Sequence, residues 1–341
     1  MTVKITISKS ITSKPSNRSW GKKIAAFAAM GVVFSTAYAE EAIVTPPIAG
    51  VVAGGIEINA IREGFTGTEG PIGLPDGSLI FTETQANRIT RIAADGSIST
   101  YLENSNGANG LGFTANGDLY AVQTLNPRVG IISPKGKEKV LADKFEGLSF
   151  GRPNDLVVDK KGGVYFTDSG ANANPNAPAK PANQPAPAKP AVYYIKPTGE
   201  LLRLAADLER PNGIQLSPDE KTLYVANTGG EYILAYAITA DGSVGARKDF
   251  AKLEGFTKTD TGYTSGADGL AVDAEGRLYV ASNPGIQVFN AKGEALGIIP
   301  LPKKPQNLAF AGKDKKILYV VGRGAAYKIP LLTSGYTGRA K

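Results

Sequence analysis

The sequence predicts an all-β protein, a six-bladed β-propeller built from four-stranded antiparallel blades around a central channel. Three observations predict it. One unit recurs six times in phase, each unit ends on a β-branched and aromatic stretch, and no segment sustains the 3.6-residue periodicity of a helix. The six copies are TEGPIGLPDGSLIFTET from Thr68, ANGLGFTANGDLYAVQT from Ala108, PNDLVVDKKGGVYFTDS from Pro153, PNGIQLSPDEKTLYVANT from Pro211, ADGLAVDAEGRLYVASN from Ala267 and QNLAFAGKDKKILYVVG from Gln306.

Within each copy, a short apolar strand meets a turn rich in Gly, Asp, Asn and Lys, and a second strand returns. The second residue of each copy is polar: Glu69, Asn109, Asn154, Asn212, Asp268 and Asn307. From it to the aromatic of the returning strand is 12, 11, 11, 12, 11 and 12 residues. Successive head residues lie 40, 45, 58, 56 and 39 apart, room for about four short strands per unit. RITRIAA then SISTYLE, and AVYYIKP then ELLRLAAD, supply the outer strands between turns such as ADGS and PTGE. The last unit is short of a strand. The alternating segment GIEINAIREG, Gly55 to Gly64, is expected to complete its blade and close the ring, which leaves no long open edge.

Hairpin counting places the head residues. The first strand of a blade is innermost and runs away from them, so all six ring one mouth of the channel. The loops between second and third strands lie on that face, as do the crossings between blades. Taken singly, such an Asn or Asp closes a turn. A turn does not account for Glu69, nor for one polar register in an apolar unit. Carboxylates converging on an axis repel unless a positive charge sits between them. Glu69 and Asp268 with Asn154 and Asn212 make an all-oxygen set of charge −2, suited to one divalent cation. Ca²⁺ fits best, with Mg²⁺ or Mn²⁺ next. Zn²⁺ would lack its usual nitrogen or sulfur ligands.

Composition narrows the chemistry. The 341 residues contain no Cys and no His, which excludes disulfides, Ser-His-Asp triads, Cys-His pairs and histidine metal sites. The first 39 residues hold six of the 38 basic residues and none of the 31 acidic ones, leaving 32 against 31 for the rest. A net charge of +1 gives no electrostatic case for nucleic acid. Residues 1–39 read as a signal peptide: a basic region ending at Lys23, a 16-residue apolar run from Ile24, and Ala37-Tyr38-Ala39 before Glu40. An uncleaved anchor would need about 20 apolar residues. The expected mature protein, 40–341, is a single propeller domain, periplasmic or secreted, without a membrane partner, and a monomer or small homo-oligomer. Ala171 to Ala191, rich in Pro and Ala, interrupts the third unit and is expected to be an extended, mobile loop on the head-residue face, either a tolerated insertion or a lid.

TEGP with Glu69, RPNDLVVD with Asn154, RPNGIQLSPD with Asn212 and GADGLAVD with Asp268 resemble the SMP-30/gluconolactonase/LRE-like family, over about Thr68 to Val321. The resemblance implies a six-bladed propeller with one divalent metal in its channel, ligated by Glu69, Asn212 and Asp268. It puts Asn154 in the metal or substrate shell and makes Arg152 a substrate contact. It implies hydrolysis of a small-molecule sugar lactone. The cation would polarise the carbonyl, with Asp268 as general base toward water or as nucleophile. Asn154, Asn109 and Arg152 would orient substrate hydroxyls, and Tyr263 and Lys258, in the stretch leading to Asp268, are further candidates. The first motif departs from the family: Ile72 follows the Pro where many members carry an aromatic, so Ile72 and Gly73 are expected to reshape the pocket floor. Related organophosphate-hydrolysing propellers use histidines that this chain lacks. A non-catalytic exported binding module with a structural metal is the alternative from another class.

Overall fold

The computed structural model describes residues 42–171, 187–260, 262–339 and 341. The expected signal peptide and most of the proline-rich insertion lie outside the described residues. Among the described residues there is no helix, and six four-stranded antiparallel sheets dominate. The first blade runs outward through Thr68–Gly73, Leu79–Glu83, Arg88–Ile92 and Ile98–Glu103. The innermost strands of the next four are Ala108–Phe113, Pro153–Val158, Pro211–Leu216 and Leu270–Val272. The sixth begins with Asn307–Ala311, and its outermost strand is Ala60–Glu63, paired antiparallel with Ala325–Pro330. The segment before the first repeat thus closes the ring as expected. Each innermost strand packs on the next, and the first packs on the sixth.

The core is six apolar clusters, one per gap between neighbouring blades. Ile72, Ile80 and Ile89 of the first blade meet Leu111 and Leu119 of the second. Leu156, Phe166 and Tyr193 of the third face Val122 and Val129 of the second. Their strand neighbours Val157, Tyr165 and Tyr194 point the other way, to Ile214 and Val225 of the fourth. The two-residue period of a strand therefore feeds two cores, which is why the inner strands read as continuous apolar runs. Each large side chain buried here contributes about 1.5–3 kcal/mol. The aromatic shared by all six units fills these gaps. Tyr165 and Tyr279 are buried, and their hydroxyls donate to the Gly242 carbonyl at 3.1 Å and to Asp273 at 3.1 Å. Ile48, Val51, Val52 and Ile58, from a segment with no repeat pattern, pad the gap between the fifth and sixth blades.

Two polar devices recur with the repeat. Hydroxyls at or just past the end of a second strand reach the chain that leads into the next blade's innermost strand: Thr82 donates to the Asn109 carbonyl at 2.9 Å, Thr167 to that of Asn212 at 2.5 Å and Thr228 to that of Ala267 at 2.8 Å. The neighbouring residue ties down the chain entering its own blade. Glu83 accepts from the Thr66 N–H, Gln123 donates to the Ser105 carbonyl, Asp168 accepts from the N–H groups of Gly151 and Arg152, and Asn227 from that of Arg210. The repeated FTET, FTDS and VANT endings thus lock successive blades together just where the head residues sit.

Replacing Thr167 by Val leaves a buried carbonyl without its donor, and urea unfolding should show a loss of about 1–3 kcal/mol. Thr100→Val, on an exposed outer strand, should stay within about 0.5 kcal/mol of the parent.

Candidate metal centre

The head residues open the innermost strands, where the blades approach most closely. Four of them are followed by glycine. A Cβ on Gly213 would stand 2.2 Å from the Asp268 carbonyl, and one on Gly269 2.1 Å from the Asn307 amide oxygen. Gly213 also donates its N–H to the Asp268 carbonyl at 3.2 Å, and Gly269 to that of Gln306 at 2.8 Å. Glycine is required because the next blade's head residue, by its backbone or its side-chain amide, occupies the side chain's place. The third blade breaks this pattern with Asp155, whose carboxylate fills the space beside Gly110.

Glu69, Asn154 and Asn212 are buried, and Asp268 is partly buried at the same mouth. Glu69 is held from the sixth blade: Asn307 donates to its Oε2 at 3.2 Å and Gln306 to its Oε1 at 3.3 Å. Asn212 donates from Nδ2 to Thr228 at 3.1 Å, and among the described residues its Oδ1 accepts no hydrogen bond. Asn154 Oδ1 and Asp268 Oδ1 are fully buried and have no hydrogen-bond partner among the described residues. Buried oxygens in native folds are nearly always paired, so these two ask for a ligand. Burial raises the Asp268 carboxyl well above its ordinary value, and the Glu69 charge raises it further, against Arg210 and Lys304. Burial likewise raises Glu69; the Asn307 hydrogen bond lowers it, Asp155 raises it, and Arg152 and Lys341 lower it.

The donor chemistry fits a hard cation: two carboxylates raised by burial and amide oxygens that accept no hydrogen bond among the described residues. The described residues contain no cluster of three or more carboxylates arranged around a metal, so such a site would depend on the amides of Asn154 and Asn212 as well as on Glu69 and Asp268.

Among the expected substrate contacts, Arg152 is half-buried ahead of Asn154, its N–H fixed by Asp168, which also accepts from Gly151 and Gly170. Asn109 is buried with its amide engaged twice, donating to the Asn154 carbonyl at 2.8 Å and accepting from Thr84 at 3.1 Å. It holds Asn154 in place. Tyr263 is half-exposed on a small hairpin, Thr257–Thr259 with Gly262–Thr264, stacked on Phe256 at 5.0 Å; Lys258 is exposed there. Ile72 does not shape a pocket floor. It is wholly buried between the first and second blades, and Gly73 lies at the opposite end of its strand, facing a cavity of about 720 Å³ with Leu74, Pro75, Tyr101 and Phe113. Proximity in sequence to Glu69 misled, because alternate residues of the strand turn into different gaps. Sequence reasoning passed over Arg210, Lys304 and Gln306. Arg210 could have been found, since it repeats the Arg of RPN.

The family description SMP-30/Gluconolactonase/LRE-like region matches residues 67–323. A gluconolactonase of Zymomonas mobilis subsp. mobilis is 28% identical over 300 residues, 82% of each chain. The structure of a gluconolactonase from Xanthomonas campestris superposes with a TM-score of 0.72 at 28% identity, covering 86% of this chain and 98% of that one. A calcium-binding protein, regucalcin, from Agrobacterium tumefaciens shares the fold at a TM-score of 0.65 and 18% identity, over 85% and 96% of the two chains.

Carboxyls whose pKa is raised by folding destabilise the protein in full above their folded pKa, and the penalty fades as pH falls through that value to the unfolded one. Cation-free protein should therefore gain stability as pH drops from neutral toward the ordinary 4.5 of Glu69 and 3.8 of Asp268. Carboxylates with depressed pKa, such as Asp76 and Asp219, lose their contribution only below 3.8. Calorimetric melting of chelated protein at stepped pH checks this, and added Ca²⁺ should raise Tm at neutral pH and flatten the dependence.

Proposed function

This chain belongs to the SMP-30/gluconolactonase/LRE-like family, and from that premise we propose that it hydrolyses a lactone, with sugar lactones as the substrate class and one divalent cation, Ca²⁺ foremost, in the channel. The observation that carries the reading is the pair of buried, partnerless oxygens of Asn154 and Asp268 beside a second buried carboxylate, Glu69. Such a pair is costly to a fold and is found where chemistry needs it.

Glu69, Asn154, Asn212 and Asp268 would hold the cation, which supplies Lewis acidity at the lactone carbonyl and positive charge for the oxyanion. Asp268 acts as general base. It takes a proton from water as the water oxygen bonds to the acyl carbon, and returns it to the ring oxygen as the acyl C–O bond breaks, giving the open hydroxy acid. Without the cation, burial and the Glu69 charge raise the Asp268 carboxyl well above its ordinary value; a bound cation would oppose that shift and keep the carboxylate ionised, ready to accept a proton. Asn307 and Gln306 fix the Glu69 carboxylate, and Thr228 fixes the Asn212 amide, so neither rotates away. Arg152, Arg210 and Lys304 supply positive charge at the mouth, suited to substrate hydroxyls and to the product carboxylate. Tyr263, on its exposed hairpin, offers a ring face at the rim.

Asp268→Asn should keep the circular-dichroism spectrum and lose about 10²–10⁴-fold in turnover of aldonolactones, the range of a lost general base. Chelation of the parent should abolish turnover and Ca²⁺ should restore it. Near-parental rates in the variant would remove the mechanism. If no aldonolactone is opened and chelation only lowers Tm, the protein is a binding module with a structural metal.

A further inference from the structure

The far mouth of the channel, opposite the head residues, is crossed by the segment after the sixth blade. Gly335 donates its N–H to the Lys315 carbonyl at 2.9 Å and Tyr336 to that of Val272 at 3.1 Å. Lys315 returns to the Tyr336 carbonyl at 3.0 Å and also donates to that of Arg339. Arg339 reaches the fourth blade, with the Leu216 carbonyl at 2.6 Å and Glu220 at 3.1 Å, while its guanidinium lies 4.7 Å over the Tyr336 ring. Contacts to the fourth, fifth and sixth blades thus fix this segment across the axis. Lys341 then enters the ring. Gln215, wholly buried on the fourth blade's innermost strand, donates to its carbonyl at 3.4 Å.

The Lys341 ammonium pairs with Asp155 Oδ2, and the two side chains are 4% and 0% exposed. Asp155 follows Asn154 directly and is the one charged residue where four other blades place glycine. Its other oxygen accepts from the Leu156 N–H at 2.9 Å. The Asp155 carboxylate raises Glu69 and Asp268, and Lys341 acts on Glu69 in the opposite sense, so all four groups share one field. Glu69, Asp155 and Asp268 together carry −3; Lys341 offsets one of these charges from the far mouth, while Arg152, Arg210 and Lys304 act from the near one.

We propose that Lys341 is a built-in counter-cation: by pairing with Asp155 from the far mouth it offsets a third carboxylate beneath the cation site and sets the affinity of that site for Ca²⁺ lower than three carboxylates would give. The inference rests on the cation reading above and adds a residue to it. A purely structural ion pair would behave differently. Breaking a buried pair from either side destabilises the fold in the same direction. An electrostatic setting of affinity moves Ca²⁺ binding in opposite directions for the two partners.

Isothermal titration of the full chain with Ca²⁺ alone tests it. Lys341→Gln, which keeps a hydrogen-bond donor for Asp155, should bind Ca²⁺ about tenfold more tightly, and Asp155→Asn about tenfold more weakly, the scale of one unit charge acting through a partly buried site. The double variant Asp155→Asn, Lys341→Gln carries no buried charge in this pair, should fold whether or not the single variants do, and should bind within about threefold of the parent. Lys341→Arg should also match the parent. Affinity falling in both single variants, or a double variant that departs from the parent by tenfold, overturns the inference while leaving the cation site intact. A parent chain that binds no Ca²⁺, Mg²⁺ or Mn²⁺ overturns the cation reading and this inference with it.

Discussion

Everything at the centre of this protein depends on how closely six strands can approach one axis. The head residue of one blade occupies the volume where the neighbour's side chain would be, through its carbonyl at Gly213 against Asp268 and through its amide at Gly269 against Asn307. That crowding dictates small residues just inside the mouth and leaves the preceding position as the place where side chains meet. It also excludes water, so the carboxylates gathered there lose solvation and must be compensated by neighbours or by a cation. Glycine and the acidic or amide head residue are therefore two consequences of one constraint. The short EG, NG and DG pairs of the repeat state it in sequence.

The cost of that arrangement is borne elsewhere. The raised carboxyls of Glu69 and Asp268 and the partnerless oxygens of Asn154 and Asp268 are net liabilities for folding. The six inter-blade clusters supply the offsetting burial, one per gap. The Thr hydroxyls that bridge blades tie neighbouring strands together at the mouth. Strands that serve two cores at once make this economical, because each added apolar residue tightens one of the two gaps its blade shares. The centre can remain polar because its periphery is uniformly apolar.

The fold was legible because it is repetitive. Six in-phase units fixed the blade number, the polar register fixed the mouth, and the unpaired segment before Thr68 fixed the closure. The candidate site was legible only as far as the repeat reached. Glu69, Asn154, Asn212 and Asp268 stand at one register, but equal register did not give equal roles. Asn109 spends its amide on the Asn154 carbonyl and Thr84, and Asn307 spends its own on Glu69. Local donors decide which way each side chain turns, and those donors sit on second strands or in the crossings. Lys341 lies 186 residues from Asp155 in sequence and belongs to no repeat, so no spacing announces their meeting. Ile48, Val51 and Val52 were invisible for the same reason: they fill a gap whose pattern is set by other blades.

The seam of the ring is also the seam of the site. Glu69 belongs to the first blade, yet both amides that hold it, Asn307 and Gln306, belong to the sixth. The sixth blade is complete only through Ala60–Glu63, contributed from before the first. Closure and ligand geometry are thus coupled through a few residues: the strand that completes the last blade supports the sheet whose innermost strand aims Glu69 at the channel. Gly324 adds a direct link, its N–H reaching the Thr68 hydroxyl at 3.3 Å beside Glu69. In a propeller the last blade packs on the first only after the chain has come full circle. A carboxylate aimed from across that junction is oriented only once the ring has closed, so the geometry of the proposed cation site and the closed ring are reached in the same step.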